Sequence, residues 1–370
     1  MQKMTHRERV LNSLNKEPVD LLPCHDGLWG ETTRKYTDEG HMQEGEDYIL
    51  HFDTSIRTGG WLNSTADIDK EPEVIDEDEE SVLRLDGNGA QLRYWKGRSG
   101  TPEHVDFMVK DRAAWEEHIK PLLANVDRRR IPFESYRKQR RTSAESDRAF
   151  GWSGVAPFEQ MHPVCGHEYM LMGMALDPEW VKDMAMTYAE FTIKHLEILF
   201  AEEGTPDFAW FYEDMGFKNK PFMSPDMYRE IIQPAHKRLF DYAHSHDLKV
   251  IVHSCGFVEP LVGGMIEAGM DCLQAMEVKA GMDMPRLAEM YGDRISFCGN
   301  LDIRIVASND KQAIDDELTR KIYPVLDKGA GFIVHSDHSI PPEVEHDTLH
   351  YFFDRGRTTI QRWREERGIE

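Results

Sequence analysis

Two hydrophobic segments of the sequence end in side chains that can bind metals. The segment VIVHSCG carries His253 and Cys255, and the later segment GFIVHSDHSIPP carries His338. Residues two apart on a strand point to the same side, so His253 and Cys255 converge. Imidazole and thiolate are ligands that Zn²⁺ takes in tetrahedral sites. The H-x-C pair alone is also typical of a core histidine beside a small buried cysteine, so a metal site requires further ligands.

Further ligands follow two other predicted strands. Glu277 ends the strand CLQAMEV, and His338 follows the last strand of the chain. We therefore predict a metal site formed by His253, Cys255, Glu277 and His338. Asp337 and Cys298 remain alternatives to His338 for completing it.

Eight strand-like segments, mostly alternating with helical ones, would position these ligands. Eight βα units favour a closed (β/α)8 TIM barrel over an open sheet, and barrel enzymes place their chemistry at the carboxyl ends of the strands. The predicted strands are VDLLPCHDG, FDTSIRTGGW, AFGWSGVAP, DFAWFYEDMG, KVIVHSCG, CLQAMEV, ISFCGN and GFIVHSDH.

A β-rich insertion is predicted after the second strand, over residues 62–110. Two alternating segments flank DGNG there, which is a strong hairpin signal. The prediction is a single barrel domain over residues 1–370 that contains this insertion.

Polar side chains at two other strand ends are candidates for acid–base chemistry. His25 and Asp26 follow the first strand, and Glu213 and Asp214 follow the fourth. Carboxylates and imidazoles are common general acids and bases. Asp26 and Asp214 are equally compatible with buried caps or charge partners at the starts of loops.

The composition of the chain limits which binding partners and which cellular compartment are expected. The chain has 370 residues and a formal charge of -23, from 44 basic and 67 acidic residues. An acidic excess is unsuited to binding phosphates, so neither nucleic acid nor an anionic membrane is an expected partner. No apolar run approaches the ~20 residues of a spanning helix. The five scattered cysteines are typical of free thiols in a reducing cytoplasm.

The sequence resembles the uroporphyrinogen decarboxylase superfamily along nearly its whole length. The matching segments are HRERVLNSLNKEPVDLLP, FMSPDMYREIIQPAHKRL, HSCG, ISFCGNLD and HSIPP. It is most similar to the methyltransferase branch, the methylcobamide:coenzyme M methyltransferases and corrinoid-linked O-demethylase components. That branch carries a zinc site of the form H-x-C with a much later Cys. The resemblance implies His253 and Cys255 as ligands and places His338 where that Cys would fall.

Two further comparisons bear on the site. Cobalamin-independent methionine synthase, a related barrel, holds zinc with H-x-C, a Glu on the following strand and a late Cys, and Glu277 matches that Glu. The true decarboxylases carry an Arg-rich loop after strand 1 and a catalytic Asp after strand 2. Here the loop reads HDGLWGETTRKY, and Gly60 stands in the place of that Asp.

The resemblance implies a zinc-dependent methyltransferase that moves a methyl group between a small substrate and a corrinoid protein. No cobalamin-binding domain is recognisable in the chain, so the corrinoid would come from a separate partner. A site with one sulfur ligand favours demethylation of a methoxylated substrate. The alternatives are a metal-assisted decarboxylase or lyase and a non-catalytic barrel that serves as a binding subunit. The methyl donor, the acceptor and the oligomeric state are open, with a homodimer as one option.

Overall fold

The computed structural model describes residues 2–97 and 101–369. Its strands form two separate sheets, one parallel with seven strands and one antiparallel with four. In chain order the strands are β1 (Ile56–Gly59), β2 (Glu73–Glu77), β3 (Ser81–Leu85), β4 (Ala90–Trp95), β5 (Glu103–Phe107), β6 (Ala149–Val155), β7 (Phe208–Tyr212), β8 (Lys249–Ser254), β9 (Cys272–Ala275), β10 (Ser296–Gly299) and β11 (Phe332–Ile333).

Helices alternate with the strands of the parallel sheet, as the sequence predicts. They are α1 (His6–Asn15), α2 (Gly30–Asp38), α3 (Tyr48–His51), α4 (Arg112–Ala114), α5 (Lys120–Leu123), α6 (Phe133–Glu145), α7 (Pro157–Leu176), α8 (Pro178–Glu203), α9 (Pro225–Met227), α10 (Gln233–Ser245), α11 (Glu259–Ala268), α12 (Met284–Tyr291), α13 (Ile303–Val306), α14 (Lys311–Asp327) and α15 (His346–Arg367). Among residues 2–97 and 101–369, no helix combines the length and the apolar character needed to cross a membrane.

The parallel sheet is curled, and its strands follow one another in chain order as β1-β6-β7-β8-β9-β10-β11. Parallel pairing brings the carboxyl ends of all the strands to one edge. In the register, Tyr212 lies beside His253, and His253 lies beside Gln274. The functional candidates on neighbouring strands therefore share one end of the sheet.

The first predicted strand, VDLLPCHDG, is present only as a short bridging segment. Cys24 forms an isolated parallel bridge with Val334, and its carbonyl accepts the N–H of Ser55 at 2.6 Å on the other side. Pro23 has no N–H to donate, which shortens any ladder that this segment can form. In the described part of the chain the parallel sheet therefore has seven strands and a bridging segment that bonds toward both edges, where the sequence predicted eight strands.

The predicted insertion contains the antiparallel sheet, in the order β2-β3-β4-β5. The hairpin predicted around DGNG is confirmed as β3 and β4. Asp86 shapes its turn by accepting the N–H groups of Asn88 and Ala90, each at 2.9 Å. Residues 98–100 of the insertion lie outside the described part of the chain.

Helix α1 packs against the interior of the curled sheet. Val10 and Leu14 join a buried cluster with inward side chains that include Ile56 and Trp210. Thr5 begins the helix with a capping box, in which it and Glu8 satisfy each other's backbone N–H groups. The helix therefore covers the apolar interior at the end opposite the carboxyl ends of the strands.

Asp20 fixes the position of α1. Its carboxylate accepts from Arg9 Nε at 2.7 Å and Nη2 at 2.8 Å, and from the N–H of Met4 at 3.2 Å. Burial raises the pKa of Asp20, but these hydrogen bonds outweigh it and lower the pKa to about 2. Since the folded-state pKa lies below the unfolded one, the stabilisation is present above pH 4 and is lost as the pH falls toward 2.

We predict that Asp20→Asn lowers the free energy of unfolding by about 2 kcal/mol at pH 7. The matched control is Asp241→Asn, since Asp241 pairs only with exposed Lys237 on the same helix. That control should change stability by less than about 0.5 kcal/mol. Urea unfolding at pH 7 and pH 3 measures both, and equal losses in the two variants would contradict the anchoring role of Asp20.

Candidate functional site

A cavity of about 560 Å³ opens at the carboxyl ends of the parallel strands. Its size suits a small organic molecule. Its lining combines aromatic rings with polar groups from most of the loops at this end. The lining residues are His25, Gly27, Asp47, Tyr48, Ile49, Arg57, Thr58, Gln139, Trp210, Tyr212, His253, Cys255, Gln274, Ala275, His335, Asp337, His338 and Ser339.

Three side chains at this end form a compact group of potential metal ligands. The ligand atoms of Asp214, His253 and Cys255 all lie within 4.8 Å of one another. His253 Nε2 is 3.3 Å from Cys255 Sγ and 3.3 Å from Asp214 Oδ1. The N–H of Cys255 also donates to Asp214 Oδ1 at 2.7 Å, which fixes the carboxylate against the loop after β8.

Gln274 orients the imidazole of His253 from the neighbouring strand β9. Its side-chain oxygen accepts from His253 Nδ1, so Nε2 is left facing Asp214 and Cys255. Burial lowers the pKa of His253, but the hydrogen bonds to Asp214 and Cys255 outweigh it and raise the pKa above its ordinary value. The same contacts lower the pKa of Asp214 against the opposing effect of burial. The site favours a positive charge between these groups.

The spacing of this group fits a zinc ion. Ligand atoms bound tetrahedrally at about 2.0–2.3 Å from zinc lie about 3.3–3.7 Å apart. Both measured separations from His253 Nε2 are 3.3 Å. A nitrogen, a sulfur and an oxygen ligand would leave a fourth position open, which is the arrangement of catalytic zinc sites.

The other two predicted ligands lie outside this group among the described residues. Glu277 Oε2 accepts the N–H of Gly256 at 3.1 Å and so holds the loop that follows Cys255. His338 is exposed at the cavity mouth, with its ring 6.0 Å from that of Trp29. The structure thus brings His253 and Cys255 together with Asp214, which the sequence placed among the acid–base candidates.

The two alternative ligands also have other contacts. Asp337 is buried, and its carboxylate accepts the N–H groups of Val278 and Ile303, each at 2.9 Å. Cys298 belongs to the apolar interior cluster, where burial raises the pKa of its thiol well above the ordinary value.

Four of the five cysteines are fully packed thiols. Burial raises the pKa of Cys24 to about 11 and of Cys165 to about 12, and it also raises the pKa values of Cys272 and Cys298. Cys255 alone among the five is partly exposed, and no cysteine forms a disulfide.

His25 and Asp26 occupy the bridging segment beside β11. Burial, assisted by nearby His335, lowers the pKa of His25 to about 3, so its ring is neutral at pH 7. Asp26 is fully buried and accepts the N–H groups of Gly27 at 2.9 Å and Ser336 at 2.8 Å. Of the two, His25 lines the cavity, while Asp26 holds the backbone beneath it.

Glu213 lies away from the cavity lining and is committed to other contacts. It is fully buried and accepts the N–H groups of Phe158 and Glu159 at the start of α7, each at 2.9 Å. It also contacts Nε2 of buried His236, which in turn pairs with Tyr228. These contacts give Glu213 a structural role at the end of β7.

The sequence profile of the uroporphyrinogen decarboxylase (URO-D) family matches residues 135–359. This range spans more than half of the chain and includes every residue of the ligand group. The chain belongs to the uroporphyrinogen decarboxylase family.

Solved structures extend the comparison to the whole fold. A methyltransferase from Methanosarcina mazei superposes with a TM-score of 0.65 over 96% of this chain and 98% of that chain, at 14% identity. At this identity the likeness establishes the shared fold. A β-glycosidase from Thermosphaera aggregans reaches a TM-score of 0.44 at 10% identity, over 90% of this chain and 88% of that one, and bears on no functional question. No curated protein matches the sequence significantly.

Gly60, where the sequence comparison would place the catalytic Asp of the decarboxylases, is closely packed. Its φ is +94°, and a Cβ built there would lie 2.5 Å from the Trp152 ring and 2.9 Å from that of Tyr136. The Gly60 carbonyl accepts Trp152 Nε1 at 2.8 Å. The positive φ and the two neighbouring rings therefore disfavour any larger residue at this position of the loop after β1.

Two residues of the site were missed by the sequence reasoning. Gln274 was read as part of a hydrophobic strand, although it faces His253 across the ladder. Arg57 lines the cavity and pairs with Asp47 and Gln139. A polar residue inside an otherwise apolar barrel strand is the signal that would have found both.

We predict that Gly60→Asp lowers the free energy of unfolding by about 2 kcal/mol or more, because strain at positive φ adds to overlap with the two rings. Thermal unfolding measures the loss, with Gly45→Asp as control because Gly45 has positive φ and open space around it. A Gly60→Asp protein as stable as that control would show that the loop accommodates a carboxylate.

The ligand group predicts which substitutions remove a bound metal. Titration with Co²⁺ should give a thiolate-to-cobalt charge-transfer absorption that is lost in Cys255→Ser. In His253→Gln and Asp214→Asn the Co²⁺ affinity measured by this band should fall at least about tenfold, because each loses a ligand.

The controls for this titration are His338→Gln and Glu277→Gln. His338→Gln should keep the band and its affinity, because His338 lies outside the group. Glu277→Gln should keep the band with at most a modest loss of Co²⁺ affinity, since Glu277 contacts the loop after Cys255 only by accepting the N–H of Gly256. Loss of the band in His338→Gln together with its retention in Asp214→Asn would contradict the assignment.

Proposed function

We propose that this protein is a zinc-dependent methyltransferase that moves a methyl group between a small substrate and a corrinoid carried by a separate protein. The observation that carries the proposal is the convergence of Asp214, His253 and Cys255 beside the cavity. Membership of the uroporphyrinogen decarboxylase family and the fold shared with a methyltransferase support it.

Each of the three residues would hold the metal through a defined atom, namely His253 Nε2, Cys255 Sγ and a carboxylate oxygen of Asp214. Zinc in such a position supplies Lewis acidity, which polarises a bound oxygen or lowers the pKa of a bound thiol. Gln274 fixes the ring of His253, and the N–H of Cys255 fixes Asp214. The ligands are thus oriented before any metal or substrate binds.

The aromatic side chains of the cavity would orient the substrate. The Tyr212 ring lies 4.9 Å from that of His253 and 5.3 Å from the half-exposed ring of Trp61. Burial raises the pKa of Tyr212 to about 12, so its hydroxyl keeps its proton and can donate a hydrogen bond. These surfaces suit a flat, weakly polar molecule next to the ligand group.

Demethylation of a methoxylated substrate is the favoured direction, because the group contains one sulfur among three ligands. The methyl carbon–oxygen bond would break, the methyl group would pass to reduced cobalt, and the substrate oxygen would take up a proton. The cavity lies at the open end of the sheet, which is the side from which a corrinoid partner could reach the substrate.

The main alternative is a metal-assisted decarboxylase or lyase, in keeping with the name of the family. The packing around Gly60 argues against it, because the loop disfavours a larger residue where the sequence comparison would place the catalytic Asp of the decarboxylases. A non-catalytic binding subunit is the other alternative.

The test measures methyl transfer from a panel of methoxylated aromatic compounds to reduced cobalamin. The formation of methylcobalamin is monitored by its visible absorption spectrum. The zinc-loaded protein should transfer the methyl group of at least one compound. Asp214→Asn and Cys255→Ser should lower the rate about a hundredfold or more, because each removes a metal ligand.

Two further results would decide between the functions. The Asp241→Asn protein serves as the control and should retain full activity, since Asp241 is exposed on α10. Release of carbon dioxide from a carboxylated panel without methyl transfer would favour the decarboxylase. Zinc binding without turnover of any compound would favour the binding subunit.

A further inference from the structure

A second group of potential metal ligands lies outside the cavity. The ligand atoms of His51, His346 and His350 are within 4.8 Å of one another, and all three side chains are half-buried. His51 ends α3, while His346 and His350 lie one turn apart at the start of α15. None of the three lines the cavity, so this cluster is distinct from the site described above.

The hydrogen bonds of two imidazoles define which nitrogens are free. His51 Nδ1 lies 2.8 Å from Glu46 Oε1, and His346 Nδ1 lies 3.3 Å from Asp347 Oδ1. An ionised carboxylate only accepts, so each Nδ1 carries the hydrogen that it donates. When both rings are neutral, their Nε2 atoms are then left with lone pairs.

These two Nε2 atoms face each other at 2.8 Å. Two lone pairs at this separation repel unless a cation lies between or beside them. A shared proton would satisfy two imidazoles and would need no third. His350 adds a third ligand atom to the same point, which is the number that a transition metal takes from protein in an open site.

We propose that His51, His346 and His350 bind a divalent transition metal ion with ligands about 90° apart, such as Ni²⁺ or Cu²⁺, because two imidazole nitrogens 2.8 Å apart are closer than tetrahedral zinc ligands. Neutral imidazoles are ligands for zinc and its first-row neighbours and are poorly suited to Mg²⁺ or Ca²⁺. Carboxylates on the second ring nitrogens, as Glu46 and Asp347 provide here, are the usual partners of metal-bound histidines.

The surroundings of the cluster fit this assignment. Buried Phe52 packs against all three rings, with centroid distances of 4.7 Å to His51, 5.5 Å to His346 and 4.7 Å to His350. On the solvent side, exposed His41 stacks on His346 with the ring centroids 4.3 Å apart. The fourth position is therefore open to water or to a rearranged His41.

A metal bound by this cluster would connect one side of the cavity to α15, the last helix. Asp47, Tyr48 and Ile49 line the cavity and immediately precede His51 in the same short segment. Asp47 also pairs with Arg57 on β1. A bound ion would hold this four-residue helix against α15, so its expected role is to order the substrate pocket without taking part in the chemistry.

The test uses the Cys255→Ser protein, in which the first group has lost its sulfur ligand. Titration with Co²⁺ should show a d–d spectrum of nitrogen and oxygen ligation without thiolate charge transfer. Combining Cys255→Ser with Asp214→Asn isolates the second cluster, which should bind about one equivalent. Adding His346→Gln or His350→Gln should lower that affinity at least about tenfold.

The matched control is His118→Gln, because His118 is exposed on the helical segment Trp115–Ile119 that precedes α5. It should leave Co²⁺ binding unchanged, and circular dichroism should show that every variant is folded. Binding of less than about a tenth of an equivalent by the Cys255→Ser, Asp214→Asn protein would overturn the proposal, as would equal affinity with and without His346 and His350. Because Cys255 and Asp214 are absent from this protein, the result is independent of methyltransferase activity.

Discussion

Parallel pairing of β7, β8 and β9 is the constraint on which the site depends. The register places Tyr212, His253 and Gln274 side by side at the same edge of the sheet. At that edge Gln274 fixes the imidazole of His253 through Nδ1. Asp214 and Cys255, on the loops after β7 and β8, lie beside its Nε2. A shift of one residue between two of these strands would turn one side chain to the opposite face and separate the group.

Several carboxylates at this end of the sheet accept hydrogen bonds from the backbone of the loops. Asp26, Glu213 and Asp337 are each buried, and each accepts two backbone N–H groups from neighbouring loops. Such loops expose N–H groups that no strand or helix satisfies, and a buried carboxylate is an effective acceptor for two of them. The polar residues that follow the parallel strands therefore include groups that hold the backbone of loops as well as groups that face the cavity.

The sequence was sufficient for the alternation of strands and helices, the DGNG hairpin and the convergence of His253 with Cys255. Each of these follows from local periodicity or from spacing along one strand. The third member of the group, Asp214, was not assigned as a ligand, because the direction of the loop after β7 depends on its hydrogen bond with the Cys255 N–H. The first strand was predicted too long. Its apolar pattern indicates a strand, but Pro23 has no N–H group to donate to a neighbouring strand. The histidines of the second cluster come from segments almost 300 residues apart, and only tertiary packing brings them together.

The burial of the cysteines has a consequence for spectroscopy. Cys24, Cys165, Cys272 and Cys298 are packed thiols with raised pKa values, while Cys255 is partly exposed next to the cavity. Cys255 is therefore the one thiol that an alkylating reagent can reach in the folded chain. We expect a maleimide spin label or fluorophore to attach beside the candidate site without any engineered substitution.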